Sequence, residues 1–154
     1  MKSCSMNQLE KTVCLKTKSG DEYVELLINY DEECETVSLF LEFKDEEYYV
    51  KGNDYLWLDS FAKLQNMLPN DIKIKSCLMC RHGNMCPFGN KPGEVFCTKD
   101  AIIKQKYDLD IYTTNENEYQ KRSRFYTDLC DDFQMQSEEY YTYNDFLYWL
   151  NKMK

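Results

Sequence analysis

Two runs of strict apolar–polar alternation constrain this chain more than any other feature. In Glu22 to Tyr30, the residues Val24, Leu26, Ile28 and Tyr30 alternate with Glu25, Leu27 and Asn29. In the next run, Val37, Leu39, Leu41 and Phe43 alternate with Ser38, Phe40 and Glu42. A period of two belongs to a strand with one covered face. Thr12 to Lys18 is β-prone, and Tyr48 and Val50 share a face within Glu47 to Lys51. Ser19-Gly20-Asp21, Asp31-Glu32-Glu33 and Lys44-Asp45-Glu46 supply turn chemistry between them. Four strands joined by short turns predict an antiparallel β-meander over residues 12–51.

A meander with one apolar face needs a cover. Trp57, Phe61, Leu64 and Leu68 recur at helical spacing, Asn53 or Asp54 can cap the first orphan amides, and Pro69 stops the run. The pattern predicts a helix over 54–68. Ile72 and Ile74 flank Lys73 as one more short strand. Tyr107, Leu109 and Ile111 alternate with Asp108 and Asp110 as a further strand. Thr113 to Gln120 reads as a polar loop, and Arg122 to Phe133 fits helix or strand. Asn144 caps a C-terminal helix over 144–153, in which Phe146, Trp149, Leu150 and Met153 form one stripe. With 154 residues, 43% of them hydrophobic, and no repeat or linker, the sequence describes a single α+β domain over 1–154.

Residues 76–98 form a cysteine-rich loop. Cys77, Cys80, Cys86 and Cys97 follow the pattern C-x2-C-x5-C-x10-C, together with the only histidine, His82. Such a loop has little apolar surface of its own, and ordering each residue costs about 1–2 kcal/mol of backbone entropy. One structural zinc ion held by Cys77, Cys80, Cys86 and Cys97 would supply the missing cross-link, since C-x2-C turns two sulfurs toward one metal. The pair Cys86 and Cys97 lacks that spacing. Reduced thiols packed under the loop, thiol redox chemistry and an iron–sulfur cluster are the alternatives. Redox chemistry wants Cys77 at the start of a helix in a βαβ setting, which a preceding meander does not offer. His82 is read as a replacement ligand, a hydrogen-bond donor beside the ligands, or a bystander. Cys4, Cys14, Cys34 and Cys130 are scattered and read as ordinary reduced thiols.

The formal charge of −8 disfavours sequence-independent nucleic-acid binding. No apolar run reaches the roughly 20 residues of a membrane span, and the N-terminus lacks a secretory core, so the expected location is cytoplasmic. The charge is segregated. Asp21 to Asp54 is crowded with acids and holds only Lys44 and Lys51 as bases, while Asp128 to Asp145 holds no Lys or Arg. Solvated faces are one reading; the other is an acidic surface that steers a basic protein partner into contact. Tyrosines among the acids favour the second, because they anchor interfaces at low entropic cost. The candidate binding residues are Asp31, Glu32, Glu33, Glu35, Asp45, Glu46, Glu47, Tyr48 and Tyr49, then Asp131, Asp132, Glu138, Glu139, Tyr140 and Tyr141.

Catalytic constellations are missing from the sequence. It offers no phosphate-cradling Gly-rich loop, and only Cys80 or Cys86 could pair with His82 as a nucleophile. No carboxylate pair is singled out by context. The expectation is therefore a non-enzymatic acidic binding protein; the alternative is a zinc- or thiol-dependent protein whose Cys77 to Cys97 loop is the working site.

Trp57 to Leu68, Cys77-x2-Cys80, Pro87-Phe88-Gly89-Asn90 and Val95-Phe96-Cys97 together resemble a group of small uncharacterised bacterial proteins. These share a helix, a C-x2-C, a P-[YF]-G-N turn and a later cysteine. The resemblance implies an immunity-type protein accompanying a polymorphic toxin, with a basic toxin domain as partner. It carries over no catalytic residue.

Overall fold

The structure is a computed structural model that describes residues 6–31, 33 and 35–152. The architecture is α+β. Strands β1 (Asn7–Thr17), β2 (Gly20–Asp31), β3 (Thr36–Phe43) and β4 (Glu46–Gly52) form the expected meander. Helix α1 (Leu58–Met67) follows, and β5 (Lys73–Lys75) joins the sheet beside β1, giving the order β4-β3-β2-β1-β5. Two further strands, β6 (Gly83–Asn84) and β7 (Glu94–Cys97), precede α2 (Asp110–Thr114) and α3 (Glu116–Arg122). Then come β8 (Ser123–Phe125) and α4 (Phe146–Lys152), with β6-β7-β8 as a second antiparallel sheet. No helix among the described residues is long and apolar enough to cross a membrane.

The chain divides into two compact units, where the sequence reads as one domain. The first takes the chain up to Ile74 and the segment from Tyr148 onward; the second runs Lys75–Leu147. Each builds its own core. In the first, Val13, Leu15, Leu26, Ile28, Val37, Leu39 and Leu41 are all buried on one side of the sheet, and so are Phe61 and Leu64 of α1. Trp57 stands just before the helix in a left-handed conformation (φ 68°), and its ring packs on Tyr30 at 5.1 Å between centroids. Capping comes from Asp54, whose Oδ2 accepts the Leu58 amide at 3.1 Å. Asp59, also buried, accepts the Asn53 amide at 3.2 Å. Gly52 is required beneath it, since a Cβ there would collide with the Asp59 and Ser60 side chains. Gln65 ties β5 to α1: its Nε2 donates to the Ile72 carbonyl at 3.0 Å, and its Oε1 accepts from the Ile74 amide at 2.7 Å.

The second unit buries Phe96, Tyr126, Leu78, Leu109 and Phe146. Here two sequence expectations fail. Tyr107 to Ile111 is not a strand but a 3₁₀ turn (Lys106–Leu109) leading into α2. Only Leu109 is buried; Tyr107 and Ile111 are exposed, so the alternation has no face to cover. Asp108 instead accepts the amides of Lys104 and Gln105, which starts the turn. The expected loop Thr113 to Gln120 instead holds the end of α2 and the start of α3, nucleated by Asn115, whose Oδ1 accepts the Asn117 and Glu118 amides at 3.0 and 3.2 Å. The C-terminal helix is present, and the Asn144 side chain accepts the Phe146 amide at 3.0 Å as its cap.

The β3–β4 hairpin turns on Lys44 and Asp45, both with positive φ (51° and 65°). Two consecutive left-handed residues define the turn that matches strand twist, and it favours glycine or asparagine. Asp45→Gly should therefore raise the stability of the first unit by about 1 kcal/mol. Denaturant unfolding followed by tryptophan fluorescence checks this, because Trp57 and Trp149 both lie in that unit.

Candidate functional site

The second unit brings distant cysteines to one place. Cys77, Cys80, Cys97 and Cys130 line a single small cavity together with His82, Gly83, Lys99 and Asp132. None of the four is in a disulfide. Three of them were expected as metal ligands. Cys130, an ordinary thiol by its sequence context, completes the cavity, and Cys86 does not line it. Cys86 instead opens the Pro87-Phe88-Gly89-Asn90 turn, where its amide donates to Asn90 Oδ1 and its carbonyl accepts from Asn90 Nδ2, each at 3.0 Å.

Local geometry explains the convergence. Cys77 to Gly83 is a double turn: the Cys80 amide donates to the Cys77 carbonyl at 3.3 Å, and the Gly83 amide to the Cys80 carbonyl at 3.0 Å. A Cβ on Gly83 would run into the Cys77 carbonyl, so only glycine lets the turn close. Pairing of β6 with β7 sets Gly83 opposite Cys97. The Cys77 amide donates to the Asp128 carbonyl at 2.7 Å, and that of Arg81 to the Gln134 carbonyl at 2.8 Å. These two bonds bring the loop bearing Cys130 alongside.

Side chains from farther along the chain clamp the turn. Asn144 Nδ2 donates to the carbonyls of Leu78 (3.2 Å) and Gly83 (2.6 Å), and the Thr142 hydroxyl donates to the Arg81 carbonyl at 2.8 Å. Asn84 accepts the Tyr143 amide at 2.6 Å and donates to Thr98 Oγ1 at 2.8 Å. On the other side of β7, buried Arg122 donates to the Cys97 carbonyl at 3.1 Å and to Glu118 at 2.6 Å, and it pairs with Asp100. Arg122 thereby fixes the end of β7 that carries Cys97.

Burial dominates the electrostatics of the Cys77 and Cys80 thiols. Burial, then the negative charge of Asp128, then the other cavity cysteines push the Cys77 thiol up to about 12. Burial also raises Cys80, against the opposing pull of backbone amides from Gln134 and His82 on its sulfur. The His82 amide stands 3.5 Å from that sulfur. Burial and then Arg81 lower His82. Lys99 lies at the rim of the same cavity and bonds Asp132 at 2.8 Å. Among the described residues no three His, Cys, Asp or Glu side chains already stand in a metal-binding arrangement.

The acidic candidates are distributed differently. Glu33, Glu35, Asp45, Glu46 and Glu47 are exposed in the first unit, with Tyr49, while Tyr48 is half-buried on the inner face. Asp31 is buried at the end of β2, so it leaves the expected binding surface. Glu32 lies outside the described residues. Asp131, Asp132, Glu138 and Glu139 are exposed in the second unit, with Asp132 held by Lys99. Tyr140 stacks under the Arg81 guanidinium, 3.3 Å from the ring centroid, and Tyr141 is partly exposed.

Strand register sets two of the expected residues, Glu47 and Tyr49, beside residues that the sequence did not single out. Glu10, Leu27, Phe40 and Tyr49 stand directly opposite one another across β1–β4, on the face away from the buried row. Glu25 and Glu42 follow two residues along on β2 and β3, and Glu42 faces Glu47 across the β3–β4 pair. Among the described residues no Lys or Arg forms an ion pair with Glu10, Glu25, Glu42 or Glu47.

Arg122→Met should destabilise the second unit by about 2 kcal/mol, discounted for the half-exposed Asp100 and read by hydrogen exchange in β7. The Arg122 and Lys121 side chains hold the Asp100 carboxyl well below the usual carboxylate range. A depressed pKa stabilises the fold above the unfolded carboxylate value, and that contribution is lost as pH falls through the folded one. Asp100→Asn should therefore lose part of the acid sensitivity of β7 exchange. The chain matches no protein-family model, no curated protein and no solved structure.

Proposed function

We propose that this protein is a non-enzymatic acidic binding protein, an immunity-type inhibitor that neutralises a basic toxin or another basic protein partner. The observation that carries the reading is the outer face of the meander. A cross-strand row of Leu27, Phe40 and Tyr49 has Glu10 at one end and Glu25, Glu42 and Glu47 along one side, with Asn29, Ser38 and Lys51 along the other. Tyr49 is 56% exposed and Tyr23, on the same face, 66%. Two carboxylates directly opposed on a pair of strands weaken that pair by about 0.2–1 kcal/mol. A sheet keeps Glu42 against Glu47 at a cost to itself, and a cation from a partner relieves that repulsion. Apolar and aromatic contact flanked along one side by acids suits a surface that takes a basic, partly apolar protein patch. Occlusion of the partner's active site is the mechanism that requires no catalytic group here.

Glu47→Gln separates this reading from that of a merely solvated face. The variant should unfold at slightly higher denaturant, since the opposed charges are gone. It should also bind the basic partner captured by the wild type with an association rate several-fold lower at low salt. Glu42→Lys with Glu47→Lys should lower that rate by about tenfold or more and remove most of the salt dependence. A partner that binds all three forms equally, or a captured partner with no excess of basic residues, would defeat the proposal.

A further inference from the structure

We propose that Cys77, Cys80, Cys97 and Cys130 form a tetrathiolate zinc centre, with Cys130 and not Cys86 as the fourth ligand. The inference is independent of the binding surface above: it uses other residues, in the other compact unit.

Four observations converge on it. The four sulfur-bearing side chains line one small cavity, and only these cysteines do so among the described residues. Cys77 and Cys80 have the C-x2-C spacing, folded into the tight turn that presents two sulfurs to one point, with glycine at its base where a Cβ would not fit. The other two ligands arrive on separate elements, Cys97 at the end of β7 and Cys130 on the loop after β8. Such a centre cross-links the turn to the two segments beside it. Finally, the cavity offers groups that can support thiolates: the His82 amide donates to the Cys80 sulfur at 3.5 Å, and Lys99, paired with Asp132, lines the same cavity.

The donor set selects the metal. A set of four sulfurs favours zinc over magnesium, calcium or manganese, which want oxygen. Binding replaces four S–H protons by one divalent cation, so the protons leave to solvent and no oxidant or reductant is needed. Zn–S bonds of about 2.3 Å draw the sulfurs together. Cys130 is exposed and can change rotamer to meet the metal without disturbing the core. The second unit has little regular structure, and a metal cross-link at this point adds directly to its folding free energy.

The full chain, purified under reductant with zinc present, provides the test. Elemental analysis should give one zinc per chain. Alkylation of the zinc-loaded protein followed by mass mapping should leave Cys77, Cys80, Cys97 and Cys130 unmodified until a chelator is added, while Cys86 reacts throughout. Cobalt in place of zinc should give the intense visible bands of a tetrahedral sulfur site. Cys130→Ser should weaken zinc by about 100-fold, a quarter of what four thiolates share, and Cys86→Ser should leave affinity unchanged. Zinc retained with Cys86 protected and Cys130 alkylated would overturn the ligand set. A protein that retains no zinc, or that is coloured by iron as purified, would overturn the centre itself. The mapping uses the unsubstituted chain, so a variant that fails to fold does not blunt the result.

Discussion

Every buried amide and carbonyl must find a partner, and in the second unit that requirement shapes the fold. The Cys77 to Gly83 turn has almost no ladder of its own, since β6 is two residues long. Its backbone groups are therefore satisfied from far along the chain, by Asn144, Thr142 and the carbonyls of Asp128 and Gln134. Unmade, each such bond leaves a desolvated polar group costing about 1–3 kcal/mol. The same closures carry Cys130 to the cysteine cavity. The site is thus a by-product of backbone accounting: the segments that hide the turn's polar groups also deliver its fourth sulfur.

The first unit obeys a different constraint. Its inner face is a continuous apolar layer with α1 buried on the same side, and long, well-paired strands hold the register. A one-residue slip would exchange the two faces completely. With register so fixed, the outer face can carry residues that do nothing for the sheet. Opposed Glu42 and Glu47 are unfavourable for folding alone, whereas exposed Tyr49 opposite half-buried Phe40 forms an aromatic pair that supports the strand pairing.

Legibility differed between the units for that reason. The meander and the stripe Trp57, Phe61, Leu64 and Leu68 stand plainly in the sequence because each is periodic and local, and all four stripe residues are buried. Trp57 is nonetheless outside the helix, held left-handed by the loop that Asp54 and Asp59 organise. Between Lys106 and Arg122 a period-two pattern misled, because Tyr107 and Ile111 face solvent and the capping of Asp108 and Asn115 decides the structure. The like-charge pair at Glu42 and Glu47 was visible as two acids but not as opponents. Their opposition depends on a two-residue turn at Lys44 and Asp45, whose left-handed geometry neither residue type announces.

What the sequence determined by itself is what short-range chemistry can encode: alternation, helical stripes, a C-x2-C turn, an Asn cap on the last helix. The tertiary structure alone decided which thiol joins that turn and which carboxylates share a face with Phe40. Spacing along the chain predicts proximity only while the intervening residues belong to one element. Between Cys97 and Cys130 lie a 3₁₀ turn, two helices and a strand, and their packing sets the distance.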